Sequence, residues 1–370
     1  MAEPIITFVG PPSSGKSSLI GALLVKCNAI SKYALEDACA DAEALGNKDR
    51  AYALLVDEEL RERMDGHTHT LKFLGKLHIK DDKVVRIIDT PGLFRFLRDM
   101  HSGVCISDAL IVVIRKYNGN IQPYLRFFFD LAKLYDEEIL IIINTSIKES
   151  FNRIRNTELK IDYEKFLGVY EVSVSKQESI EELLDVLSEI RGKKRDLEKP
   201  FRLPILKIGG EGNIFIGVIT HGSIKVYDWI ALSPTYKVGR IASIEKEGGS
   251  LDRAVAGDDV GVILSGIGRQ YVKVGHLIGS LREPPHIALK IKMRVVNKIH
   301  DLHEKSVFTA ILHSFRTQCR IEEVRQNEAV LIFHEKVPIE SYEEYPELSG
   351  IVLLKGSEIV AYGACECIIE

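Results

Sequence analysis

Along the first half of the chain, apolar residues fall into short continuous runs separated by stretches in which they recur at helical spacing. Ile5 to Val9, Val84 to Ile88, Ala109 to Ile114 and Ile139 to Ile143 are such runs, bounded by turn residues. Runs of this kind predict strands buried on both faces. Between them, Lys16 to Lys26, Tyr33 to Ala44, Ala51 to Met64 and Leu125 to Leu134 carry helical patterning, and a last helix is expected over Ile180 to Ile190. Strands alternating with helices predict a mostly parallel sheet covered on both faces. The charged segment Arg191 to Asp196 has no apolar period and reads as a helix end and linker.

From Lys199 the texture changes. Gly209-Gly210, His221-Gly222, Gly248-Gly249, Ala256-Gly257-Asp258 and Val274-Gly275 punctuate short Ile- and Val-rich runs. That spacing predicts small antiparallel β-barrels, and Pro284-Pro285 marks a boundary between two of them. The expected fold is therefore an α/β P-loop nucleotide-binding domain over residues 1–195, followed by two small antiparallel β-barrels over 196–283 and 284–370.

The 370 residues carry a formal charge of −4 and are 45% hydrophobic. A packed core is within reach, and a strongly basic nucleic-acid binder is disfavoured, which leaves room only for a local basic face; no DNA partner is expected. No apolar run is long enough to span a membrane and the N-terminus has no secretory pattern, so no membrane partner is expected. The six cysteines form no C-x-x-C pair, which argues for reduced thiols and a cytoplasmic location. Cys365 and Cys367, two apart, are expected to share one strand face.

Gly10-Pro11-Pro12-Ser13-Ser14-Gly15-Lys16-Ser17 fits G-x-x-x-x-G-K-[ST] after an apolar strand and before a helix. Its glycines let the backbone wrap a phosphate, and the N–H groups of Gly10, Ser13, Ser14, Gly15 and Ser18 with the helix N-terminus supply positive potential. Lys16 would bridge the outer phosphates and the Ser17 hydroxyl would ligate Mg²⁺. Asp89-Thr90-Pro91-Gly92 ends the next strand. There the Asp89 carboxylate would hold Mg²⁺ through water, and the Gly92 N–H would reach the terminal phosphate.

With these motifs the sequence resembles the translational GTPases, most of all the elongation factor 1-alpha and Tu group. The stretch Tyr52 to Asp57 and Gly66-His67-Thr68 resemble that family's extended switch I, which makes Thr68 the implied second Mg²⁺ ligand. Arg98-Asp99-Met100 and Gly103 resemble the helix after switch II. Ala256-Gly257-Asp258-Asp259-Val260-Gly261 resembles a turn of the family's first barrel, and Glu340 to Pro346 a segment of its second. Asp258 and Asp259 either line an aminoacyl pocket or form an ordinary turn. The resemblance implies GTP/GDP and Mg²⁺ as ligands and a monomer acting at the ribosome. Its partner would be aminoacyl-tRNA or a tRNA-shaped protein.

The departures bear on chemistry. Leu93 stands where the family has the histidine that orients the attacking water, and its side chain can neither donate nor accept a hydrogen bond. No catalytic residue is identified, and hydrolysis is expected to be slow or lost. The guanine-reading Asn-Lys-x-Asp is replaced by Asn144-Thr145-Ser146-Ile147, leaving Asn144 with a weakened preference for GTP over ATP, partly offset by Ser146 or Lys148. Ser173-Val174-Ser175-Lys176 resembles the final base-contacting loop, which nominates Ser173. The alternative is a degenerate relative that holds nucleotide without a hydrolytic cycle and docks a partner.

Overall fold

The computed structural model describes residues 3–46, 50–57, 68–115, 122–145, 152–154 and 163–369. The chain divides into two compact units, Met1–Lys193 and Lys194–Glu370.

In the first unit the strands are β1 (Ile5–Val9), β2 (Lys72–His78), β3 (Val84–Asp89), β4 (Ala109–Arg115), β5 (Glu138–Asn144), β6 (Asn152–Ile154) and β7 (Phe166–Val172). They form a seven-stranded sheet ordered β2-β3-β1-β4-β5-β7-β6. β1, β3, β4, β5 and β7 pair in parallel, and β2 and β6 add antiparallel edges. The helices are α1 (Lys16–Lys26), α2 (Lys32–Ala44), α3 (Ala51–Leu54), α4 (Leu97–Cys105), α5 (Gln122–Tyr135) and α6 (Gln177–Glu189). Ile6, Phe8, Ile111 and Leu140 of the sheet pack with Leu19 and Leu23 of α1 and Leu183 and Leu187 of α6 in one buried core. The parallel strands are apolar on both faces because helices cover both.

The helix expected over Ala51 to Met64 is present as the short α3, and residues 58–67 lie outside the described residues. α3 is seated on α1, where a Cβ added to Gly21 would lie 1.9 Å from the Tyr52 carbonyl oxygen.

The second unit is antiparallel throughout. Its first part contains β8 (Arg202–Pro204), β9 (Lys207–Gly209), β10 (Ile214–Val218), β11 (Ser223–Lys225), β12 (Trp229–Ser233), β13 (Lys237–Lys246), β14 (Gly249–Leu251), β15 (Arg253–Val255), β16 (Asp259–Ser265) and β17 (Leu277–Ser280). Eight of them form a sheet around a core that includes Phe215, Ile230, Ile241 and Val262, while β11 and β15 form a separate ribbon. Its second part is a closed barrel of β18 (Ile287–Lys298), β19 (Val307–Leu312), β20 (Phe315–Arg325), β21 (Glu328–Pro338), β22 (Gly350–Lys355) and β23 (Glu358–Ile369). Arg325 pairs with Glu328, so only Gln326 and Asn327 separate β20 from β21.

Cys365 and Cys367 do not share a face. Cys365 is buried and Cys367 exposed, because the register with β18 shifts between Lys292 and Met293 and places an extra residue, Glu366, between them. Asp258 closes its own turn, accepting from the Val255 N–H at 2.8 Å and from Lys246 Nζ at 2.6 Å.

His276, only 4% exposed, packs its ring 6.1 Å from Phe315 of β20. Burial, aided by the Lys273 charge, pushes its pKa down to about 4. An unfolded histidine titrates near 6.5, so as the pH falls the unfolded chain takes up this proton first. Stability from this group is complete above about pH 6.5 and is lost as the pH falls toward 4, by up to about 3 kcal/mol at 1.36 kcal/mol per unit. Urea unfolding at pH 7 and pH 4.5 should show a smaller acid loss in His276→Gln than in the wild type.

Candidate functional site

The loop between β1 and α1 is built around two glycines in the left-handed region. Gly10 has φ 144°, and a Cβ there would fall 2.1 Å from the Val113 carbonyl oxygen of β4. Gly15 has φ 91°, and a Cβ there would meet Asn144 Nδ2 at 2.0 Å. No larger residue fits either place. Asn144 in turn donates from Nδ2 to the Ser14 carbonyl at 3.0 Å and ties the loop to the end of β5.

α1 begins at Gly15 with no side-chain cap and no acidic residue in its first turn. α2, by contrast, is capped by Ser31, whose hydroxyl accepts from the Ala34 N–H at 3.2 Å. The uncapped N–H groups of α1 therefore face the cavity as donors for an anion.

Lys16 joins the two predicted phosphate elements. Its Nζ donates to the Gly10 and Pro11 carbonyls at 3.0 and 3.2 Å, and a Cβ on Gly92 would lie 2.8 Å from it. Burial pulls the Lys16 pKa down to about 8, against the pull of the Asp89 charge. Burial pushes the Asp89 carboxyl up, opposed by Lys16, the Ser17 hydroxyl, Lys72 and the Thr68 hydroxyl in that order.

Ser17, Thr68 and Asp89 meet in one oxygen cluster. Ser17 Oγ donates to Asp89 Oδ2 at 2.9 Å, Thr68 Oγ1 lies 3.3 Å from the same oxygen, and the two hydroxyls are 3.1 Å apart. Among the described residues, Asp89 Oδ1 is buried without a hydrogen-bond partner. An orphaned carboxylate oxygen beside two hydroxyls is a hard-oxygen donor set, which fits Mg²⁺ completed by phosphate oxygens and water.

These groups line a cavity of about 410 Å³ formed by Pro12, Ser13, Gly15 to Ser18, Thr68, Gly92 and Leu93 together with Arg50, Ala53, Asp57 and Arg115. Ala53 and Asp57 belong to the switch-I-like stretch Tyr52 to Asp57, whereas Arg50 and Arg115 carry no motif in the sequence. Arg115 had a readable signal: it directly follows an apolar run at the C-terminal edge of the parallel sheet, where ligands bind. Asp57 is buried against Lys72 at 3.3 Å, and Lys72 also donates to the Val56 carbonyl at 2.9 Å. This ion pair joins the segment after α3 to β2. Leu93 stands at the cavity with a side chain that has no polar atom. Tyr124 of α5 donates to the Gly92 carbonyl at 3.1 Å and fixes the turn from the other side.

Ser173 does not line this cavity. It is buried just beyond β7, its N–H bonded to Ser179 Oγ at 3.1 Å and its hydroxyl 2.9 Å from that of Ser175. Asn144 sits one strand away, opposite Val172. Ser146, Ile147 and Lys148, and Gly66-His67, lie outside the described residues.

The family model described as the elongation factor Tu GTP binding domain matches residues 3–191, and that of elongation factor Tu domain 2 matches residues 212–279. The chain belongs to the elongation factor Tu family of translational GTPases. Elongation factor 1-alpha of Pyrobaculum aerophilum is 27% identical over 341 residues, covering 83% of this chain and 76% of that protein. Among solved structures, bacterial selenocysteine-specific elongation factor EF-Sec superimposes with a TM-score of 0.73 at 17% identity, over 99% of this chain and 58% of that one. The S. cerevisiae Ski7 GTPase-like domain, bound to GDP and inorganic phosphate, gives 0.72 at 15% identity over 99% and 98% of the two chains. At these identities the structures establish the shared fold. No helix among the described residues is long and apolar enough to cross a membrane.

Proposed function

We propose that this member of the family is a GTP-binding translation factor. It would hold the phosphates of GTP or GDP on the loop Gly10 to Ser18, and Mg²⁺ on Ser17, Thr68 and Asp89. It would carry aminoacyl-tRNA or a tRNA-shaped protein to the ribosome as a cytoplasmic monomer. The observation that carries the reading is the meeting of three elements at Lys16: the glycine loop, Gly92, and the Ser17–Thr68–Asp89 oxygens. The bound cation would neutralise phosphate charge. Lys16 and the uncapped N–H groups of α1 would bind the anion, and Asn144 would hold the loop in shape.

Calorimetric titration of nucleotide-free protein with GTP, GDP and ATP in Mg²⁺ tests this. Binding of GTP and GDP but not ATP supports the reading, whereas no binding of any of them removes it. Equal binding of GTP and ATP would mean that guanine is no longer read where Asn144-Thr145-Ser146-Ile147 replaces the family motif.

A second reading is favoured by Leu93: a module that holds nucleotide and docks a partner without turning it over. Water-positioning groups contribute about 10²- to 10⁴-fold to such reactions. Leu93→His is therefore expected to raise single-turnover GTP hydrolysis at least about tenfold over the wild type. An unchanged rate would place the limit on hydrolysis elsewhere in the site.

A further inference from the structure

The outer face of the β12–β13 hairpin carries an arrangement that nucleotide binding in the first unit does not use. Trp229, the only tryptophan of the chain, is 51% exposed, Tyr236 in the connecting turn 65%, and Tyr271 beside it 43%. Large aromatic rings are normally taken out of water. Here each exposed ring has a cation laid over it. Arg240 lies 4.1 Å from the Trp229 ring centre, Lys237 4.5 Å from that of Tyr271, and Lys336 of β21 5.1 Å from that of Tyr236.

Register sets the alignment of Trp229 with Arg240, whereas Lys237 opposes the buried Leu232 and falls with Gly239 on the other side of β13. Trp229 opposes Arg240 across the two strands. Val238 and Arg240 face solvent while Gly239 and Ile241 are buried. From Arg240 back to Tyr236 is four residues, about 13 Å of strand, or the length of two to three nucleotides in an extended strand. Of the acids next to these residues in sequence, Asp228 accepts from the Lys225 N–H at 2.8 Å and Glu335 from the Thr317 hydroxyl at 3.0 Å. This face thus carries Arg240 and Lys336 over its rings, on a chain whose formal charge is −4.

We propose that this face binds an unpaired RNA strand. Alternating aromatic rings and cations match an alternation of bases and phosphates: bases stack on the rings, and phosphates take the guanidinium and ammonium groups. Only unpaired bases offer their faces to such a surface, and β12 and β13, flanked by β17 and β16 in a larger sheet, are not a free ribbon for a duplex groove. RNA rather than DNA follows from the translational reading of the preceding section, while the site itself rests on the second unit alone.

The test uses the full chain and a fluorescein-labelled rU12 oligonucleotide, read by anisotropy and by quenching of Trp229. The expected result is saturable binding with quenching, weakened at least about fivefold by Tyr236→Ala and by Arg240→Ala, and at least about tenfold by Trp229→Ala read by anisotropy. With Arg240 and Lys336 on phosphates, log K should fall against log salt with a slope of about −1.4. The proposal is overturned by absence of binding, by unchanged affinity in all three variants, by dU12 binding as tightly as rU12, or by heparin binding as tightly as RNA. Self-association in sedimentation that is lost in Trp229→Ala would assign the face to a second copy of the chain instead. GTP titration of the same samples reports separately on the nucleotide site, so failure of one reading is not mistaken for failure of the other.

Discussion

Lys16→Ala is expected to lower the affinity for GTP and GDP by about thirtyfold to several thousandfold while leaving the fold in place. The ammonium is buried at the point where the glycine loop and Gly92 converge, and it bonds to two loop carbonyls. Removing one partner of a desolvated charge pair costs about 2–5 kcal/mol, and each 1.4 kcal/mol is a factor of ten. The alanine keeps the aliphatic start of the side chain in the first turn of α1, where helix propensity favours it. Calorimetry with GTP and GDP gives the affinities, and a thermal melt shows whether the variant is folded. A folded variant that binds like the wild type would mean the phosphates lie elsewhere, and the proposed function would fall with it.

Glu340→Ala should destabilise the second unit by about 3–5 kcal/mol, the usual cost of stranding a buried charge. Arg202 of β8 and Glu340, just after β21, are both fully buried, with Nε 2.5 Å from Oε1. The guanidinium also donates to the Phe201 and Glu283 carbonyls at 3.1 and 3.0 Å and lies 4.5 Å from the Tyr345 ring centre. With Glu340 gone, that cation has carbonyls and a ring but no counter-charge. His286 Nδ1 lies 2.5 Å from the other Glu340 oxygen, and this bond, set against partial burial, raises the His286 pKa. A raised histidine pKa adds stability below about pH 6.5 that is lost as the pH rises through the folded value. His286 is nearly half exposed, so its share is small. His286→Ala should therefore change the urea midpoint far less than Glu340→Ala. The double change Arg202→Met with Glu340→Leu should recover most of the loss, because it removes both charges together.

The parts legible in the sequence are those with local causes. Strands β1, β3, β4 and β5 lie within about one residue of their apolar runs, since burial on both faces leaves an unbroken signal. Gly10 to Ser17 fold as the motif requires, and Ser17, Thr68 and Asp89 converge although they come from distant parts of the chain. β2 was not legible: Lys72–His78 mixes charge, glycine and apolar residues because it is an edge strand pairing with β3 alone. The Arg202–Glu340 pair spans 138 residues, and no spacing rule connects its members. The same holds for Lys72 and Asp57, whose pairing depends on where α3 is seated. The split of Cys365 from Cys367 came from a bulge that pleat alternation does not reveal.

Gly92 and Leu93 are neighbours in sequence with opposite tolerance of change. A single methyl on Gly92 would press on Lys16, on the Pro12 nitrogen and on the Gly10 carbonyl, all within 2.9 Å. Leu93 is half-buried at the cavity's edge. Packing thus forbids a side chain at position 92 while leaving position 93 free to change. On the two sides of one peptide bond, the scaffold for an anion is therefore rigid and the wall beside it replaceable, so substitutions at 93 can reshape the cavity without unfolding the loop that builds it.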